Sequence, residues 1–434
     1  MLAQLCEREA LTYRRFSERF TEAGNRFYGR KSTNPTCGET QFRRWTAGRL
    51  TGLPSAETCQ ILEAMWPAYT AEQLFAPPPA DDPQVPAFDL EEQVLMTARD
   101  AHESADATAS ATISDNTIDE LRDRVTSLAR RYHVLPPVTA WQEGNGLLRE
   151  IERHRDRTQV PVQQQALMIL NGQAAALLSV AAFDLGYFAP ARTLARTAAL
   201  FGESTRFTPL QAYADGTMAY IAYHSGEASE AVEKARRALS YGGLGDIAQR
   251  RLHAIAARAY VHIGDAESAQ RSIRLSGDLD LLSRDELHDE VGGEFGFSEE
   301  RLAMSNSTTA LLMGDTARAE IEAGRALALL AQRAKSEQST DVRAGAAADL
   351  AYARLYGGDV DGAAEALAPM WEVPTEQRNT GIVVRAARIG RHLAKPQYHG
   401  SALPGELRER IENFTRVSPP YQLGPGVPLL AIEA

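Results

Sequence analysis

The sequence predicts an all-α protein, a small helical head followed by a helical-repeat array, on three observations. A glycine followed five residues later by a small residue recurs five times: Gly186 and Ala191, Gly226 and Ala231, Gly264 and Ala269, Gly314 and Ala319, Gly358 and Ala363. Five prolines crowd residues 77–86 and set the head apart from the rest. No convincing period-two alternation marks a strand. Each glycine follows an apolar helical run, so one unit reads as helix A, a glycine turn and helix B. The ninth and twelfth positions after each glycine extend the pattern: Ala195 and Ala198, Ala235 and Ala238, Ile273 and Ser276, Ala323 and Ala326, Leu367 and Met370. Offsets of 5, 9 and 12 line one helical stripe, narrow enough for helix A to approach closely. The glycine-to-glycine periods of 40, 38, 50 and 44 exceed the roughly 34 of a standard tetratricopeptide unit, which makes the array irregular.

The elements follow in order. Residues 11–24 form an amphipathic helix that buries Leu11, Phe16 and Phe20 and stops at Gly24. A second helix starts after Thr36-Cys37-Gly38-Glu39, read as a capping box in which Thr36 satisfies the Glu39 amide and Glu39 reaches back. A third, SAETCQILEAMW, supplies Ile61, Leu62 and Met65 to the head core. The head spans 1–76, and 77–116 hold the proline-rich linker, a segment able to form a helix (88–104) and a polar loop. From 117 to 434 the array begins with a helix over 117–132, carrying Ile118, Leu121, Val125 and Leu128 on one face, and a partner over 138–156. The first helix A bears Leu167, Leu170, Ala174, Leu177 and Ala181, and the others fall near 208–224, 246–262, 298–312 and 341–356. Helices near 375–393 and 405–416 cap the end, where a polar outer face is required.

Charge is unevenly divided. Residues 1–50 hold ten basic and five acidic side chains, leaving 36 basic and 52 acidic ones elsewhere, so a head of +5 sits on a body of −16. Such a head attracts phosphate while the body repels it. The N-terminus carries charges where a leader would need an apolar core, and no run of about 18 apolar residues occurs. The three cysteines, all within the first 60 residues, are expected to be reduced core thiols. A cytoplasmic location follows as an expectation. Phosphate loops, nucleophile elbows and zinc-protease motifs are absent, so neither an enzyme nor a cofactor is expected. The cluster Asp285, Glu286, His288, Asp289 and Glu290 matches no metal-ligand spacing and is read as a solvated loop.

In the head, helical geometry over TQFRRWTAG turns Phe42 and Trp45 inward and Thr40, Arg43, Arg44 and Ala47 outward. Two arginines beside small and hydroxyl side chains suit a major groove, where arginine pairs with guanine O6 and N7 and other groups grip phosphate. The candidate DNA-binding residues are Thr40, Gln41, Arg43, Arg44 and Arg49, with Arg30 and Lys31 on the basic, aromatic loop 24–38 as a wing-like phosphate contact. In the array, Tyr213, Tyr220, His253, Tyr260 and Asn306 leave the apolar stripes of the A helices and are candidate ligand contacts.

The segments QFRRWTAGRL, ILEAMW and LFAPP resemble the N-terminal part of actinobacterial helix-turn-helix regulators of the lambda-repressor-like (XRE-like) class. DELHDEVGGEFGFSEERLAMSNSTTALLMGD and GDVDGAAEALAPMWEVPTEQRNTGIVVRAAR resemble the tetratricopeptide-like sensor part of the same proteins. Only four of the 46 basic residues are lysine, in keeping with a GC-rich genome. The resemblance implies a helix-turn-helix domain ahead of a tetratricopeptide-like α-solenoid. It also implies DNA-binding regulation with an effector, whether peptide, small molecule or protein, on the repeats. A double-stranded operator read by a homodimer is the expected partner, because one short helix reads few bases. A repeat scaffold whose head does not bind DNA is the alternative.

Overall fold

The computed structural model describes residues 1–28, 36–50, 52–77, 94–102 and 112–424. Among these residues all regular structure is helical. The chain divides into two compact units, residues 1–99 and 100–434. Much of the expected linker lies outside the described residues, while 94–102 are helical, in line with the helix expected over 88–104.

The first unit contains α1 (Leu2–Arg8), α2 (Tyr13–Tyr28), α3 (Glu39–Thr46), α4 (Ala56–Met65) and α5 (Ala71–Phe75). Its core gathers Phe16, Phe20, Trp45, Ile61, Leu62, Met65 and Trp66, with Leu11 and Phe42 partly buried against it. Glu9 is tied to this core twice: it pairs with Arg19 and accepts a hydrogen bond from the Trp66 indole at 2.7 Å. Two expectations are corrected. Helix α2 runs past Gly24, which is buried within it, to Tyr28. Helix α3 has Gly38 as its N-cap with no side-chain cap: it begins at Glu39, two residues later than a Thr36 cap requires, and Glu39 pairs forward with Arg43. A capping box does exist, at α5, where Thr70 and Gln73 satisfy each other's amides.

The second unit is a run of antiparallel helix pairs. Helices α6 (Asp115–Arg131) and α7 (Pro137–Arg157) precede the pairs α8 (Pro161–Asp184) with α9 (Phe188–Thr205) and α10 (Thr208–His224) with α11 (Ala228–Leu239). Next come α12 (Asp246–His262) with α13 (Ala266–Gly277) and α14 (Glu299–Leu312) with α15 (Thr316–Ala331). Helix α16 (Thr340–Tyr356) pairs with the broken helix α17 (Val360–Ala366) and α18 (Ala368–Trp371). The unit ends with α19 (Thr380–Leu393), α20 (Ala402–Arg416) and α21 (Pro419–Gln422).

All five repeat glycines adopt positive φ, from 77 to 87°. After Gly264, the amide of Asp265 reaches back to the Tyr260 carbonyl at 2.9 Å, and the same six-residue closure follows the other four glycines. That closure ends helix A and needs a left-handed residue, which glycine supplies without a steric cost. In three copies the next residue starts helix B: Asp265, Asp315 and Asp359 accept the amides of Ser268, Arg318 and Gly362. The small stripe is buried throughout, with Ala191, Ala231, Ala269, Ala319 and Ala363 all fully inaccessible. The B helices keep an exposed outer face, whereas helices such as α8 and α10 are buried nearly all round and belong to the interior. Helix α8 is long and apolar enough to cross a membrane, with a mean hydropathy of 1.7, but 78% of that window is packed inside the fold.

The array curls until its ends meet. Thr380, at the start of α19, donates to the Phe183 and Asp184 carbonyls at 2.8 and 3.0 Å, and Gln377 donates to the Val134 carbonyl at 3.1 Å. The segment 285–297 crosses from α13 to α14, and there Arg130 holds the Glu290 and Val291 carbonyls while the Glu294 amide bonds Ala129 at 2.9 Å. The expected solvated loop at 285–290 is instead a half-buried turn of π-helix. Asp285, only 7% exposed, accepts from the amides of Gly245, Leu287 and His288. A carboxylate that caps three amides has reason to be inside. Burial opposes its charge, yet the hydrogen bonds and the His288 ring outweigh this and hold Asp285 below the usual carboxylate range.

Candidate functional site

On the first unit, α3 carries the predicted face. Trp45 is buried, and Phe42 packs 4.7 Å from the Phe16 ring, which turns Thr40, Gln41, Arg43, Arg44 and Arg49 to solvent. The acidic first turn and basic last turn also suit the helix dipole, so the arginines have a local structural use as well. Arg43 is held by Glu39 at 2.6 Å, while Arg44 and Arg49 form no ion pair among the described residues. Arg30 and Lys31 lie outside the described residues. The thiols are unpaired, and burial pushes Cys6 and Cys37 up to about 11, so both stay protonated.

The second unit holds a cavity of about 130 Å³ at the centre of the curled array, within about 1100 Å³ of unfilled space once its mouth is included. Every interior helix contributes: Phe183 and Asp184 from α8, Tyr220 and Ile221 from α10, Arg251, Ile255 and Arg258 from α12, Arg301 and Met304 from α14, Asp341 from α16 and Gly381 from α19. Tyr132, His133, Glu294 and Phe297 complete the wall. The repeat turns position these side chains, because each fixes where one interior helix stops relative to the next.

The polar groups are mostly committed to one another. Glu294 accepts from Arg301 at 3.1 and 3.2 Å and from the Tyr213 hydroxyl at 3.3 Å. Arg301 also donates to His133 Nδ1 at 3.1 Å, and burial together with the Arg301 charge pushes His133 below its ordinary value. The imidazole is therefore an acceptor. Tyr132 donates to Asp184 at 2.8 Å; burial, reinforced by the charge of Asp341, holds Asp184 well above the usual carboxylate range and favours the neutral acid. Arg251 donates to the Tyr213 carbonyl and the Thr217 hydroxyl and lies 4.1 Å from the Tyr213 ring centre. Asp341 accepts from Asn379 at 3.1 Å. Arg258 is the exception. It is 6% exposed, its Nε has no partner, and no ion pair or hydrogen bond involves it among the described residues.

Of the five ligand candidates, only Tyr220 lines the cavity. Tyr213 is fully buried one layer back, its ring against Phe295 at 4.8 Å. Tyr260 is partly buried against the contact between α10, α11 and α12, and His253 and Asn306 do not reach the cavity wall. The arginines were missed. Their signal was present in the sequence: Arg250, Arg251 and Arg258 sit among the alanines, leucine and isoleucine that make up the rest of the buried surface of α12. No group of three or more metal-ligating side chains occurs among the described residues. No known family model matches the chain, and no curated protein matches it in sequence.

Proposed function

We propose that the chain is a transcriptional regulator whose first unit binds double-stranded DNA through α3 and whose helical array holds an effector in its central cavity. The observation that supports the DNA reading best is the exposed Thr40, Gln41, Arg43, Arg44 and Arg49 face of a short helix anchored by Phe42 and Trp45. The cavity supports the effector half, being a concave space lined by aromatic and aliphatic groups and furnished with several polar ones. An effector acts on the operator only if it binds two conformations of the protein unequally, and an array closed by a few hydrogen bonds between its ends offers an element able to open. The regulator acts as a homodimer on paired half-sites.

Selection from a random duplex library yields the operator, and anisotropy with Arg43→Ala, Arg44→Ala and Arg49→Ala then sorts the contacts. A base-reading arginine changes discrimination at one base pair by about 1–3 kcal/mol, and a phosphate-binding one lowers the salt slope by about one. Arg49 belongs to the second kind. If a folded Arg43→Ala, Arg44→Ala double variant binds the operator as tightly as the parent, α3 does not read DNA and the scaffold alternative stands.

A further inference from the structure

Arg258 is 6% exposed and has no partner among the described residues: its Nε is inaccessible and unpaired, and its terminal nitrogens open on the cavity. Taking a guanidinium out of water costs several kcal/mol unless an anion or acceptor replaces the water. The other arginines around the cavity are supplied. Arg301 has Glu294, Arg251 has a carbonyl, a hydroxyl and a ring face, and Arg385 and Arg388 share the buried Asp349. Arg258 lines the same cavity with none of these. Its field falls on Tyr220, Tyr223, His224 and His262, and none of the four carries a negative charge there. Tyr220, also on the wall, makes no hydrogen bond with its hydroxyl among the described residues, so a second donor faces the same space.

The charges around the cavity point to the valence of the missing group. Three cations line it, Arg251, Arg258 and Arg301, against Glu294, Asp341 and an Asp184 that leans to the neutral acid. One positive charge is in surplus. The rest of the wall includes Leu135, Val180, Phe183, Ile221, Ile255 and Phe297. A phosphate dianion wants several convergent donors, whereas a lone guanidinium with one hydroxyl amid apolar side chains suits a monoanion with an apolar body. A volume of about 130 Å³ is near that of cavities known to hold a benzene-sized molecule.

We propose that the central cavity binds a small organic carboxylate, its anionic head on Arg258 and Tyr220 and its apolar body against Phe183, Ile221, Ile255 and Phe297. The proposal names the chemical class of the effector and rests on the regulator reading for its biological meaning only.

The test uses the full chain, with calorimetry and thermal melting against benzoate and hexanoate, their neutral partners benzamide and hexanamide, and inorganic phosphate. One charge-assisted contact corresponds to about tenfold in affinity, so the acids bind at least about tenfold more tightly than the amides. Arg258→Met abolishes that preference, Arg258→Lys keeps part of it, and ligand-free Arg258→Met melts at or above the parent because an unpaired buried charge has gone. Among the binding results, any of four overturns the proposal: amides that match the acids, an acid preference that survives in Arg258→Met, phosphate as the better ligand, or no binding by either acid. A lowered melting point of ligand-free Arg258→Met also overturns it, by making the guanidinium structural. Operator binding in the same samples separates the two readings. An acid that binds through Arg258 without changing operator affinity retires the regulator and leaves the site, while an operator response confined to the amides does the reverse.

Discussion

Gly293 should be the least replaceable glycine of the array, and the reason can be worked from distances. Its φ is +62°, and an added Cβ would lie 2.3 Å from the Ala129 carbonyl oxygen, 2.5 Å from the Ala129 carbon and 2.5 Å from Arg130 Cα. These are backbone atoms of α6, so no side-chain rotation relieves the clash. The left-handed conformation alone costs an alanine about 1–2 kcal/mol, overpacking adds about 1–3, and displacing the strap formed by residues 285–297 weakens the Glu294 amide bond to Ala129, about 1 more. Gly293→Ala is therefore expected to lose about 3–5 kcal/mol, the terms being only partly additive. Gly264→Ala is the control for conformation alone, having φ +78° and nothing within 4 Å of the added carbon, and should lose about 1–2. Gly324→Ala, helical and open on α15, should gain about 0.4–1. Urea unfolding of the three variants, followed by circular dichroism, gives the order directly. A Gly293→Ala midpoint equal to that of Gly264→Ala would falsify the claim that the strap is wedged against α6.

Three further outcomes are expected. Ala231→Phe, at a fully buried stripe position on α11, overpacks the contact with helix α10 and costs about 1–3 kcal/mol; an unchanged melting temperature would show the stripe to be loosely packed. Asp349→Ala leaves Arg385 and Arg388 buried without their shared carboxylate and costs about 3–5 kcal/mol, measured by urea midpoint, and parity with the parent would mean that water reaches both guanidiniums. Burial, with the Arg258 charge second, holds His224 well below its ordinary value of 6.5, so the unfolded chain takes up that proton first. Stability is then level above about pH 6.5 and falls as pH drops below it, by up to about 1.4 kcal/mol per pH unit for one imidazole. His224→Phe, packed among Phe183, Tyr220 and Tyr223, should flatten that fall. Asp184 has the opposite sign but is common to both proteins, so parallel curves for parent and variant would exclude His224 from the acid response.

What the sequence made legible was local. A glycine turn, a small residue five positions on and a helical period are all written within about twenty residues, and α10, α12, α14 and α16 begin and end within a residue or two of their expected bounds. Two short head helices, α1 and α5, escaped because seven and five residues hold too few turns for a period to appear. The α3 capping box failed for a different reason. Glu39 had a competing partner four residues on in Arg43, and one helical turn is the distance at which such ion pairs form.

The cavity was hidden because its residues share no sequence neighbourhood and depend on closure of the array. Tyr213 and Tyr220 lie seven residues apart on α10, hence on one face, and periodicity gives no ground to prefer either. The strap from 285 to 297 decides: it lays Glu294 and Phe295 over Tyr213 and leaves Tyr220 open. The arginines are legible in the sequence on a different ground. A helix buried on every face has no solvent side to which a guanidinium can escape, so Arg251 and Arg258 on α12 and Arg385 and Arg388 on α19 must each find an acceptor inside. Sequence supplies that demand but not its settlement. Asp349 and the Tyr213 carbonyl meet it for Arg385, Arg388 and Arg251 only once the interior helices stand side by side; the same juxtaposition leaves Arg258 facing the cavity without one, and Arg250, outside the cavity wall, with its Nε unpaired as well.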